Sequence, residues 1–241
     1  MPVTAALSVA SLNLHCGRDR HGDPFPVAEA IGTLDADVVL VQESWRPAGA
    51  DSLVRKAAEW GYGEPLELEF LADTTLRALD VVDDQGVDER GGWGLAVLSR
   101  LPWRRYEHVW LGQAASDVGP RGALVVEVEL PGGVPLRVVN AHLTHRVVHG
   151  PGQLRRLVTA LCEDDQPTII GGDLNMCRPT VWLCRPYRTA VRGRTWPAHS
   201  PVAQIDHLLV SSGITVTSQR VGPPVGSDHR PIQVSLRVDE A

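Results

Sequence analysis

The sequence predicts an α+β fold in which many short strands and a few helices surround a buried core. Two observations carry that prediction. Apolar, β-branched runs of four to eight residues recur along the chain, too short for helices, with Pro and Gly between them. Several of these runs also end in a carboxylate, amide or imidazole, which lets a rigid core hold reactive groups at its rim. At 241 residues, with 43% hydrophobic and 22% charged residues, the chain has enough apolar content for a sizeable core, and one domain spanning 1–241 is expected.

The elements follow in order. Leu7 to Leu14 alternates Val9, Ser11 and Asn13 against Ala10, Leu12 and Leu14, as a strand does. Val27 to Leu34 reads as a short helix, and Val38 to Val41 as a buried strand ending in Gln42-Glu43. The stretch from Phe70 to Arg90, with its acidic cluster Asp80, Asp83, Asp84, Asp88 and Glu89, reads as a solvated loop; its spacing is wrong for a calcium loop. Gly94 to Ser99, Ala123 to Leu130 and Leu136 to His142 are three further strands. A helix over Gln153 to Cys162, with Leu154, Leu157, Val158 and Leu161 at helical spacing, precedes the strand Thr168 to Asp173. Ile205 to Val210 and Pro231 to Val238 complete the set, the last alternating Ile232, Val234 and Leu236 against Gln233, Ser235 and Arg237.

Charge and cysteine content limit the function classes. The net charge of -6 gives no global positive field for nucleic acid or anionic lipid. Cys16, Cys162, Cys177 and Cys184 show neither C-x-x-C spacing nor a disulfide framework, so buried free thiols are expected. No apolar run reaches the roughly 18 residues a membrane span needs, and the start lacks the basic region of a signal peptide. A soluble, cytoplasmic, monomeric protein is expected. No G-x-S-x-G elbow is present, which argues against a serine hydrolase.

The strand ends collect Asn13, Glu43, His142, Asp173, Asn175, Asp206, Asp228 and His229. Taken singly, each has an ordinary reading as a cap, a turn residue or a satisfied core histidine. Together they form a hard-donor set suited to Mg2+ or Mn2+, whereas zinc favours more histidine or cysteine.

Their order and local sequence resemble the endonuclease/exonuclease/phosphatase superfamily, whose fold is shared by DNase I-like nucleases, abasic-site endonucleases, inositol phosphatases and sphingomyelinases. The resemblance rests on Ser11-Leu12-Asn13-Leu14-His15, Val41-Gln42-Glu43, Gly94 to Ser99, Asn140-Ala141-His142-Leu143, Gly172-Asp173-Leu174-Asn175 with Ile205-Asp206-His207, and Ser227-Asp228-His229-Arg230-Pro231. These motifs cover nearly the whole chain and are similar to those of compact bacterial members. The resemblance implies a four-layer α/β/β/α sandwich of two mixed sheets with one cleft at the strand ends. It also implies hydrolysis of a phosphate ester with Mg2+ or Mn2+.

Carried over residue by residue, Glu43 resembles the principal metal carboxylate, with Asn13 and Asp228 beside it. Asp173 resembles the residue that handles the attacking water, and Asn175 the amide that orients it. His142 and His229 resemble the imidazoles on the phosphoryl oxygens, Asp206 being bonded to the second. Arg121 reads either as a phosphate contact or as a surface arginine at a strand start, and His15 as a cleft residue or a turn histidine. Trp182, Tyr187 and Trp196, interleaved with Arg185, Arg188, Arg192 and Arg194, read as a base-stacking, phosphate-gripping surface or as a packed loop with a basic face. A phosphodiester is favoured over a monoester, on a nucleic acid, nucleotide or small phosphorylated molecule; a non-catalytic module that keeps the fold is the alternative.

Overall fold

The computed structural model describes residues 4–81, 88–162, 165–181 and 185–239. Two sheets of six strands pack face to face. The first contains β1 (Thr4–Asn13), β2 (Val38–Pro47), β3 (Leu66–Thr75), β4 (Arg90–Ser99), β11 (Ile214–Val221) and β12 (Ile232–Asp239), in the order β11-β12-β1-β2-β4-β3. The second contains β5 (Trp103–Gly112), β6 (Arg121–Glu129), β7 (Pro135–His142), β8 (Thr168–Asp173), β9 (Arg188–Thr189) and β10 (Asp206–Val210), in the order β5-β6-β7-β8-β10-β9.

Each sheet is built around one parallel pair: β1 with β2 and β7 with β8. A parallel pair needs a crossover. α1 (Val27–Gly32) lies within the first crossover and α2 (Gly150–Leu161) within the second, and every other pairing is antiparallel. A short third helix, α3 (Arg178–Val181), follows β8.

Burial follows from the alternation. Val9, Val38 and Leu40 point between the sheets against Leu124, Val126, Val138 and Leu208, while Ala10, Leu12, Val39 and Val41 pack under α1 with Ala30 and Ile31. Val139, Ala141 and Ile170 pack under α2 against Leu154 and Leu157. Three apolar layers thus separate four structural layers, and the expected α/β/β/α sandwich is observed. Among the described residues no helix is long and apolar enough to cross a membrane.

Three expectations are corrected. Phe70 to Thr75 is not a solvated loop but the second half of β3, with Phe70 buried against Trp93. Of that region's acidic cluster, Asp83 and Asp84 lie outside the described residues. Cys16 is buried, but Cys162 and Cys177 are exposed free thiols, and Cys184 lies outside the described residues. The run ending at Val41 continues through Glu43 to Pro47, so Glu43 sits inside a strand.

Candidate active site

Both parallel pairs end on the same side, and their ends carry the chemistry. In the second sheet His142 and Asp173 are register partners at the ends of β7 and β8, and Asp206, antiparallel on β10, is the next neighbour of Asp173. Gly172 makes this possible: its φ is 133°, and a Cβ there would collide with the Ala141 carbonyl, so only glycine lets the strand turn Asp173 toward His142.

The first sheet reaches the site differently. β2 slips register against β4 between Gln42 and Ser44, and Glu43 is the extra residue, held at φ 51°. This bulge turns the Glu43 side chain out of the sheet plane's ordinary alternation and onto the rim. Gly94, opposite Ser44, allows β3 to approach; a Cβ there would strike the Leu68 carbonyl. Left-handed backbone at His15, Cys16 and Asn175 also falls at the site, the pattern expected where local strain positions functional groups.

Beneath the rim the sheets are stitched by amides. Gln42 Nε2 donates to Asn140 Oδ1 at 2.6 Å, and Asn140 Nδ2 donates across to the Val41 and Ala96 carbonyls. Both side chains are fully buried, so this pairing fixes the first sheet's half of the site relative to the second.

Asn13 Nδ2 donates to Glu43 Oε1 at 3.0 Å and to Asp173 Oδ2 at 3.2 Å, while its Oδ1 accepts from the His15 amide. The structure therefore places Asn13 with the two carboxylates as their donor. Asp228 accepts from the Trp196 indole at 3.0 Å and has its other oxygen 3.9 Å from His229 Nε2. His15 bonds the Arg18 carbonyl through Nδ1 and lies 3.8 Å from Asp228; it does not line the central cavity. Asn175 does line it, with its amide nitrogen on the Leu143 carbonyl.

The two imidazoles stand on either side of Asp173, each with Nε2 3.7 Å from Asp173 Oδ2. Their electrostatics are opposite. Burial alone would discharge His229, but Asp206, 2.9 Å from its Nδ1, and then Asp173 outweigh it and raise its pKa well above the ordinary value. His142 is also fully buried, and in place of a bonded carboxylate it has the Arg121 guanidinium 3.3 Å from Nδ1, so burial and then Arg121 push its pKa well down. The same guanidinium nitrogen lies 3.3 Å from Nδ1 and 3.5 Å from Nε2, while the Asp173 and Glu43 carboxylates face Nε2 at 3.7 and 3.8 Å, which favours the tautomer with its proton on Nε2. Burial, reinforced by Asp206 and Glu43 against the pull of His229, moves the Asp173 carboxyl up to about 7.

Arg121 is buried at the start of β6, lies 4.8 Å over the Trp93 ring and has Asp117 3.7 Å from Nε. Sequence reasoning passed over Trp93, Asp117 and the Gln42-Asn140 stitch. Trp93 lines the cavity beside His142, and its flanking glycines were the available signal. In the aromatic and basic stretch, Tyr187 is buried in the core beneath α2, Trp196 lines the cavity, and Trp182 lies outside the described residues.

Two groupings have ligand geometry: Glu43, His142 and Asp173, and Asp173, Asp206 and His229. The second is a proton-sharing set, because Asp206 occupies His229 Nδ1 and a charged ring repels a cation. Of the first, the carboxylates fit a hard divalent cation, since Glu43 and Asp173 share one amide donor and face no Lys or Arg salt bridge among the described residues; His142, with its proton on Nε2, serves there as a donor rather than a ligand. The cavity above them, about 660 Å³, is large enough for a substrate head group.

Comparison with known proteins agrees with this geometry. Residues 10–229 match the model of the Endonuclease/Exonuclease/phosphatase family. No curated protein is similar in sequence. Among solved structures, an endonuclease/exonuclease/phosphatase from Beutenbergia cavernae superposes with a TM-score of 0.77 at 21% identity, over 97% of this chain and 72% of that one. A family protein from Leptotrichia buccalis gives 0.70 at 11% identity, over 95% and 98%. The Bacteroides thetaiotaomicron mannosyl-6-phosphatase Bt3783 gives 0.65 at 17%, over 95% and 99%.

Proposed function

We propose, from the premise that the chain belongs to the endonuclease/exonuclease/phosphatase family, that it is a Mg2+- or Mn2+-dependent phosphodiesterase. The family consists of metal-dependent phosphoesterases with a DNase I-like fold, and the buried histidine-aspartate cluster supplies the matching chemistry. The observation that carries the finer reading is the placement of two imidazoles at equal distance from Asp173, His229 backed by the Asp206 carboxylate and His142 by the Arg121 guanidinium, with Glu43 beside them.

In hydrolysis water attacks phosphorus, the bond from phosphorus to the leaving oxygen breaks, and that oxygen takes up a proton. Charge on the non-bridging oxygens must be stabilised throughout. Glu43, with Asn13 3.0 Å from it and Asp228 as a further carboxylate, would hold the cation, which would act as a Lewis acid toward the phosphoryl group. Asp173 positions the water and takes its proton, a role suited to a carboxyl poised near neutrality. Asn175 orients the water, while His229 supplies a fixed positive donor and His142 an uncharged N–H donor. Arg121, buried against His142, adds positive potential at the cavity wall.

A neutral donor on one side suits a diester, which carries one negative charge, better than a dianionic monoester. Turnover of bis-p-nitrophenyl phosphate and p-nitrophenyl phosphate, with Mg2+, with Mn2+ and with EDTA, tests this. Diester hydrolysis that EDTA abolishes and that Glu43→Ala lowers about 10²-fold or more is expected. Equal rates in EDTA, or monoester turnover exceeding diester turnover, would refute it.

A further inference from the structure

Apolar side chains exposed around the mouth of the catalytic cavity point to the kind of substrate it takes. Among the described residues the exposed large hydrophobic side chains are few, and five of them, Val118, Val147, Val148, Trp196 and Val202, sit on or next to segments that line this one cavity. Val118 and Trp196 line it directly; Val147 and Val148 follow the lining residue Arg146, and Val202 precedes the lining Ala203. Single exposed apolar residues are ordinary, whereas a collar of them around a catalytic mouth marks a contact surface.

The valine pair is displayed on a built turn. His149 N–H donates to the Arg146 carbonyl at 2.8 Å, and the Arg146 amide is tied to Thr144 Oγ1, so Val147 and Val148 occupy the tip, each 86% exposed. Turn tips favour Gly, Asn, Asp or Pro, whereas these two β-branched residues bury little of their apolar surface in the fold. The same turn carries His145, Arg146 and His149 with no carboxylate, and Arg146 donates to the Ser116 carbonyl rather than to an acidic partner. Apolar tips beside the Arg146 guanidinium complement an interface where acyl chains lie beneath phosphate head groups.

Other occupants fit less well. Nucleic acid bases stack on rings, and four of the five collar residues are valines. A protein seated on the collar would cap the cavity it surrounds.

Resting on the phosphodiesterase reading, we infer that the collar seats the enzyme on a lipid surface and that the substrate is an amphiphile whose phosphodiester head group enters the cavity. The test sediments the wild-type protein and the double variant Val147→Asp/Val148→Asp with vesicles of phosphatidylcholine alone and with added phosphatidylglycerol. Bis-p-nitrophenyl phosphate turnover serves as the control for folding and chemistry. Wild type is expected in the vesicle pellet, and the double variant to partition at least about tenfold less with unchanged turnover of the soluble ester, since burying each valine side chain drives association. Wild type that hydrolyses the soluble ester but stays in the supernatant overturns the lipid seat alone. Equal sedimentation of the variant overturns it too, as does a variant impaired only on a single-stranded oligonucleotide. Absence of soluble-ester hydrolysis in wild type refutes the phosphodiesterase reading and the inferred substrate with it.

Discussion

His142 and His229 occupy mirrored places about Asp173, yet one is built to stay neutral and the other to stay charged. Burial is equal and Nε2 lies 3.7 Å from the same oxygen in both cases, so neither explains the difference. What differs is the group behind each ring: the Asp206 carboxylate behind His229, the Arg121 guanidinium behind His142. The lesson is that the second neighbour, not the imidazole or its depth, decides whether a buried histidine supplies charge or only a hydrogen bond.

Removing Asp206 should break the comparison most severely. In Asp206→Asn the amide still bonds the ring but no longer offsets its burial, so His229 loses its charge at neutral pH. Turnover at pH 7 is expected to fall about 10²- to 10³-fold, the range seen when a charge-stabilising donor is lost. The pH-rate profile gives the sign: wild type keeps the His229 charge until pH rises through its raised pKa, so its alkaline limb should lie above that of the variant. Coincident profiles would mean that Asp206 only orients the ring.

Arg121 is the opposite test. Arg121→Met removes the cation that helps keep His142 neutral and leaves Asp117 without its ion-pair partner; Thr144 still donates to the other Asp117 oxygen. Because Asp117 is buried, a loss of about 3 kcal/mol in folding stability is expected, measurable by denaturant titration. A variant as stable as wild type would show that water already reaches Asp117.

How much of this was legible in the sequence follows from the same contrast. Strands covered on both faces, such as Val38 to Val41 and Thr168 to Asp173, announced themselves as apolar runs, and the motifs named Glu43, Asp173 and both histidines. The edge strands did not. β5 and β11 are solvated along most of their length, and register slips interrupt β5 near both ends and β11 once, so their alternation with a core is weak. The Glu43 bulge was equally hidden, because a positive φ at a glutamate leaves no trace in residue type. Nor could a sequence say which histidine had which neighbour: Asp206 is 23 residues from His229 and Arg121 is 21 residues from His142, separations bridged only by the fold.

The smallest effect is the most discriminating, since it reads His142 and Asp173 without catalysis. His142 has a pKa well below its ordinary 6.5, so as pH falls below about 6.5 the unfolded chain binds a proton that the metal-free fold refuses, and stability drops by up to about 1.4 kcal/mol per pH unit. Asp173 works the other way. Raised from 3.8 to about 7, it binds a proton in the fold that the unfolded chain has released, so stability rises as pH falls through that window, with a slope of about the same size. His229, charged in both states below about 6.5, adds no slope there. In wild type the two slopes oppose. His142→Gln removes the first and should gain stability relative to wild type on acidification from about pH 6.5 to 5, whereas Asp173→Asn removes the second and should lose it, the two variants diverging by up to about 4 kcal/mol over that interval. Denaturant titrations in EDTA at both pH values measure the divergence. A divergence of only about 2 kcal/mol, with Asp173→Asn showing no change on acidification, would mean that His142 titrates normally and that the contrast between the two imidazoles rests on His229 alone; parallel behaviour of the two variants would mean that neither pKa is shifted.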